Sequence, residues 1–201
     1  MTERPDAHDA LLGATQELTY DRGITATGVD AIAAKAGVTK RTLYQHFGSK
    51  DRLVAEALSD RSRRALLNLE TGARRRAAET GDLVILSLFD VIEGALAGRT
   101  KAGCAFINAS LEINRQGHPV HEAALAHLHA REELVHQFLV EAGMDDTDLA
   151  AQVVLLVDGA YAVGGSRRDP AAARHAKAAV AALLAAWRAV ARPEGLEPPT
   201  L

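Results

Sequence analysis

Apolar residues return at steps of three and four along most of this chain, and glycine or proline closes each run. That is the period of an α-helix with one buried face. Over 7–22, Leu11, Ala14 and Leu18 share a face, and Gly23 stands where a helix stops. Thr27 and Asp30 form a box-like start for a short helix that ends at Gly37. Thr39 can cap a second short helix to about Phe47, and Gly48 and Ser49 break and cap again. A long helix follows from Lys50 to about Arg76, burying Leu53, Val54, Ala57 and Leu58. Five more helices open at Gly81–Asp82, Ala105, Gly117–His118–Pro119, Asp146–Thr147 and Asp169–Pro170. Their expected ends are near Leu96, Arg115, Ala142, Val163 and Ala191, with Gly164–Gly165 as the stop for the fourth. No strand pattern, internal repeat or low-complexity linker interrupts this series. The expected fold class is therefore all-α, with about nine helices.

Composition agrees. The 201 residues are 48% hydrophobic but only 4% aromatic, and about a fifth are alanine, the best helix former. One cysteine, Cys104, excludes a disulfide framework and a cysteine-rich zinc module, and fits a reducing cytoplasm. No apolar run reaches the ~18 residues of a membrane span, and the polar start Met1–Asp6 is not that of a signal peptide. The expectation is a cytoplasmic protein without a membrane partner. Net charge is −3, but residues 22–64 hold nine basic side chains against four acidic ones. A basic unit on an acidic chain suggests a surface for phosphates, or simply a solvated face.

The segment 27–47 distinguishes these. Two short helices that cross tightly need a small residue at the contact, a glycine in the turn and an apolar residue packing back. Ala33, Gly37 and Leu43 meet these needs, with Ile32 and Val38 beside them. That is the spacing of a helix-turn-helix that reads DNA, although a plain helical hairpin would share it. The second helix then offers Thr39, Lys40, Arg41, Thr42, Tyr44, Gln45 and His46. Lysine and arginine at such a position reach guanine O6 and N7, and Thr42 can meet a thymine methyl or a phosphate. Thr27 and Lys50, at helix starts, can meet phosphates where amide dipoles favour anions.

The stretch from Thr27 to Val54, with Leu43–Tyr44 and His46–Phe47 followed by Gly48-Ser49-Lys50-Asp51, resembles the tetracycline-repressor (TetR) family of bacterial regulators. The resemblance covers about residues 8–58. It implies a three-helix DNA-binding head, a connecting helix, and a helical body that dimerises through its last two helices and binds a small molecule. It implies a transcriptional regulator, usually a repressor released from a palindromic operator by its effector. Thr39, Lys40, Arg41, Thr42 and Tyr44 fall on that family's recognition helix, and His46 and Lys50 on phosphate-contacting positions. Domain limits follow: a head at 1–50, a body at 51–192 with 51–76 as connector, and a tail at 193–201.

The body is less explicit. Val153, Val154, Leu156, Val157 and Ala160, and then Ala172, Ala176, Ala179, Val180, Leu183, Leu184 and Trp187, form stripes at helical spacing. They can make a four-helix dimer interface or pack within their own subunit. Candidate ligand-binding residues are Phe89, Phe106, Asn108, Glu112, Asp158 and Tyr161. Asp158 interrupts an apolar run, so its carboxylate lines a cavity or pairs with a buried base. Of the histidines between 118 and 136, only His118 and His121 have chelate-like spacing, and solvated histidines are the plainer account. Cys104 has no resolving partner for redox chemistry. No cofactor or metal is expected. The chain lacks a nucleophile elbow, a phosphate-binding glycine loop and a His-Glu-x-x-His helix, so it does not read as an enzyme. An activator, or a regulator whose body binds another protein, is one competing reading, and a helical enzyme with an incidental helix-turn-helix is another.

Overall fold

A computed structural model describes residues 6–98 and 103–191; the expected tail at 193–201 lies outside them. These residues form nine helices and no strand. The first four are α1 (Ala7–Arg22), α2 (Val29–Ala36), α3 (Lys40–Phe47) and α4 (Lys50–Thr80). Then come α5 (Val84–Ala97), α6 (Ala105–Glu112), α7 (Pro119–Glu141), α8 (Thr147–Arg167) and α9 (Ala171–Ala191).

Capping chemistry sets most boundaries. The Thr39 hydroxyl accepts from the Thr42 amide at 3.1 Å, and Ser49 does the same for Arg52 at 3.2 Å. Asp146 accepts from Leu149, and Asp169 from Ala171, both at 2.9 Å. Gly37 takes the left-handed conformation (φ 69°) that lets α2 turn at once into α3. The start of α2 differs from expectation. Gly28 is its N-cap, and Thr27 turns inward, its hydroxyl 2.6 Å from the Gly23 carbonyl and 3.2 Å from that of Leu18.

Other boundaries moved, α6 ending at Glu112, three residues before Arg115. The connector runs four residues past Arg76, to Thr80. Gly164 and Gly165 do not stop α8; both are buried inside it, and at Gly164 α5 and the α8–α9 turn approach too closely for a side chain. Glycine here serves packing rather than punctuation.

Three apolar clusters organise the chain. The head cluster joins Leu11, Leu18, Ile32, Leu43 and Phe47 to Leu53 and Ala57 of α4. The body cluster draws on α4, α5, α7, α8 and α9. A third, with Ile24, Val54, Leu58, Phe106, Ala109 and Val120, lies between them. Val153, Val157, Ala160, Ala172, Ala176, Val180 and Leu184 are all buried in their own subunit. The anticipated stripe is thus largely internal core. What α8 and α9 leave outside is a different face, with Leu155 71% and Val163 39% exposed and several alanines of α9 beside them. Trp187 is half-buried, its indole donating to Asp146 at 2.8 Å. Helix α8 is long and apolar enough to cross a membrane by length and composition, with a mean hydropathy of 1.4 over its best window, although Asp158 interrupts its apolar run. Asp158 is ion-paired to Arg131 of α7, and the helix packs on α7, α9 and α5 as a core helix does.

The α8 glycine contact can be tested. A Cβ on Gly164 would sit 2.6 Å from Leu96 Cδ1 and 3.2 Å from the Asp169 carbonyl oxygen. Gly164→Val is expected to lower unfolding stability by about 1–3 kcal/mol, read as a lower urea midpoint.

Candidate DNA-reading head and effector cavity

Helix α3 presents one face to solvent. Leu43 and Phe47 are buried, while Thr39, Lys40, Arg41, Tyr44, Gln45 and His46 are exposed, Tyr44 by 47%. The face is preset by local contacts. Thr39 and Thr42 hydroxyls lie 2.9 Å apart at the capped start of the helix. Lys40 is ion-paired with Asp30 of α2 at 2.6 Å, so a phosphate or base must displace that carboxylate. Of the anticipated reading residues, Thr27 is not on this face: it is 1% exposed and its hydroxyl is committed to backbone carbonyls. Lys50 is half-buried and donates to the Ile24 carbonyl at 2.7 Å, bracing the α1–α2 connection.

That connection is gripped from the body. Glu112, the last residue of α6, accepts from the amides of Ile24 at 3.0 Å and Thr25 at 2.7 Å. Burial resists ionisation of Glu112, but these two amides and the nearby Lys50 charge hold its carboxyl below the ordinary range. A second link joins α7 to the start of α4. His118 caps α7 through Nδ1, which accepts from Val120, and its Nε2 lies 3.1 Å from Asp51. The sequence makes Glu112 a candidate ligand residue and His118 one of two histidines with chelate-like spacing; in the structure both also tie body helices to the head.

Two adjoining cavities lie behind this junction, sharing Gln16, Arg61 and Ala105. The smaller, about 180 Å³, is lined by α1, α4 and α6 and includes Asn108 and Glu112. The larger, about 430 Å³, lies among α4, α5, α6, α7 and α8 and includes Phe106 and Tyr161. Of the other anticipated ligand residues, Phe89 lies in the body core, lining neither cavity. Asp158 likewise lines neither; it pairs with Arg131, the second of the two fates open to it. Burial raises the Asp158 pKa even so, against the opposing pull of Arg131.

The larger cavity holds groups that sequence reading passed over. Arg131 is 1% exposed, with one guanidinium nitrogen on Asp158 and another 3.8 Å from Cys104 Sγ. His127 stacks on Phe106, ring centroids 3.4 Å apart, and its Nδ1 is 2.9 Å from Ser62 Oγ. Burial, then the charges of Arg131 and Arg61, push His127 down to about 3, so the ring is neutral. Their signal in the sequence was faint: an arginine and a histidine four apart on an otherwise apolar helical face. Among the described residues no three histidine, cysteine, aspartate or glutamate side chains converge as a metal would require. His121 and His136 face a Ser110 carbonyl and Asp145, respectively.

Two outcomes follow. His127 has a folded pKa of about 3 against an ordinary 6.5. Its unfolded form therefore takes up a proton first, and stability present above pH 6.5 is lost as pH falls toward 3. Between pH 7 and pH 5 the wild type is expected to lose about 2 kcal/mol more than His127→Gln, by denaturant titration. For Glu112→Ala, the Ile24 and Thr25 amides are expected to exchange hydrogen at least tenfold faster. Unchanged protection would mean that the carboxylate does not hold them.

Known proteins give this geometry a context. Residues 11–57 match the profile of bacterial regulatory proteins of the tetR family. Over 96 residues, 45% of this chain, it is 38% identical to the HTH-type transcriptional activator FasR of Mycolicibacterium smegmatis. Over 52 residues, 26% of the chain, it is 44% identical to the HTH-type transcriptional repressor KstR2 of the same species. These matches span only 42% and 25% of those two relatives. The solved structure of sav143 from Streptomyces avermitilis, classed with the TetR transcriptional regulators, is 30% identical. It superposes with a TM-score of 0.78 over 90% of this chain and 98% of that one. A head-to-tail match of this kind extends the relationship beyond the head, and the chain belongs to the TetR family of transcriptional regulators, which are not enzymes.

Proposed function

We propose that this chain is a cytoplasmic, dimeric, sequence-specific repressor that leaves a palindromic operator in double-stranded DNA when a small molecule enters the body. The exposed face of α3 carries the reading: a capped, short helix, seated on a glycine turn, with basic, hydroxyl and aromatic side chains outward. Arg41 is the base reader, through guanine O6 and N7. Thr39, Thr42, Tyr44 and His46 hold the backbone, and Lys40 joins them on leaving Asp30. Lys50 serves the phosphate side indirectly, by fixing the loop before α2.

Dimerisation would use the outer faces of α8 and α9, where Leu155 and Val163 stand beside small residues. Two heads would then meet half-sites about 34–36 Å apart. Release is a population shift. A ligand in the larger cavity presses on Phe106 and Tyr161, moves α6, and changes how Glu112 holds the α1–α2 connection. Asn108 and Glu112, on one face of α6, line the smaller cavity and sense the same movement. FasR and KstR2 bear opposite regulatory signs, so a promoter-reporter assay with and without the gene decides this one; higher reporter output without the gene is the result expected here.

The first test is selection of bound duplexes from a random library at two salt concentrations. An enriched palindrome is expected, with affinity falling steeply as salt rises. Tyr44→Ala should weaken binding to all duplexes alike, whereas Arg41→Ala should relax base preference at one position of each half-site, by about 1–3 kcal/mol. Failure to enrich any sequence with folded dimer would overturn the reading.

A further inference from the structure

The larger cavity has a charge pattern that its regulatory reading does not require. Three arginines line it, Arg61, Arg64 and Arg131, and among the described residues no aspartate or glutamate does. The counter-charges stand behind the wall: Asp60 with Arg64, and Asp158 with Arg131. Arg61 lies over the Tyr20 ring at 4.9 Å. The remainder of the lining is mostly apolar or uncharged, including Leu66, Leu69, Val91 and Phe106. Arg131 adds an observation of a different kind. Its side chain is only 2% exposed, and its Nε–H has no acceptor. A buried guanidinium with one donor unspent is costly and calls for a partner. A carboxylate or sulfonate oxygen can accept from that donor.

We propose that this cavity selects an organic monoanion, a carboxylate or sulfonate carried on an apolar body. Arg131 takes the anionic group, with Arg61 on the facing α4 wall, and Phe106 and Tyr161 cover the apolar part. A volume of about 430 Å³ suits a compact molecule of this class. Cations meet an arginine-lined wall that, among the described residues, offers them no carboxylate. The inference rests on the effector reading only for its regulatory consequence; the preference for an anion belongs to the cavity itself.

The test uses full-length protein and two dyes that share a ring system. 8-Anilinonaphthalene-1-sulfonate carries the sulfonate, and N-phenyl-1-naphthylamine lacks it. Fluorescence titration is expected to show one sulfonate dye per protomer, bound at least tenfold tighter than the neutral dye. Arg61→Gln and Arg131→Gln should each weaken the sulfonate dye about tenfold while leaving the neutral one unchanged. Circular dichroism establishes that each variant is folded, and Arg61→Gln carries the test if Arg131→Gln is not. Equal affinity for the two dyes, or undiminished sulfonate binding in a folded arginine variant, would overturn the proposal. A separate arm adds the sulfonate dye to the complex with the selected duplex. Binding with the stated preference but without release would remove the effector reading and leave the anion site standing.

Discussion

The three-helix head does not close its own apolar centre. Leu53 and Ala57, which are side chains of α4, sit at 0% and 2% exposure among Leu11, Leu18, Ile32, Leu43 and Phe47. A short helical hairpin of this size buries too little surface to stand alone. The long helix supplies what is missing, and in doing so fixes the direction in which α3 faces. Because α4 runs on for 31 residues against α5 and α7, the head is oriented by a rigid member that also belongs to the body. Domain language places a boundary near residue 50, but the packing crosses it.

Two polar links make that shared helix sensitive to the body rather than merely attached to it. Glu112 binds two backbone amides just before α2, and His118 reaches Asp51 in the first turn of α4. Both body partners stand at helix ends, α6 finishing at Glu112 and α7 starting after His118. End positions move with small rotations of their helices, so under the proposed effector reading a ligand beside Phe106 would have a short mechanical path to α3. The path runs through hydrogen bonds with discrete made and broken states, which suits a two-state regulator better than gradual deformation.

Much of this was legible in the residues. Ala33, Gly37 and Leu43 specify a crossing of two helices because their sizes leave few alternatives, and Thr39 declares its cap by position alone. The nine helices follow from apolar period and glycine punctuation. Other features were hidden because they depend on partners far away in sequence. Nothing near Glu112 announces the amides of Ile24 and Thr25, and nothing near Arg131 announces Asp158. The stripe on α9 showed that one face is buried without saying against what, and its own subunit proved to be the answer for Ala172, Ala176, Val180 and Leu184. Thr27 misled because a threonine before a helix usually caps it; here Gly28 took the cap and the hydroxyl turned inward. Gly164–Gly165 misled in the opposite sense, as a stop signal that lies inside the helix, with Gly164 making a space-saving contact.

The indole of Trp187 donates to Asp146, the residue that caps α8, and so spans the far ends of the two terminal helices. The chain has one tryptophan. Its indole emission is therefore a built-in optical gauge of a single place. Quenching or a wavelength shift of the indole emission on assembly would report the α8–α9 corner with no dye attached.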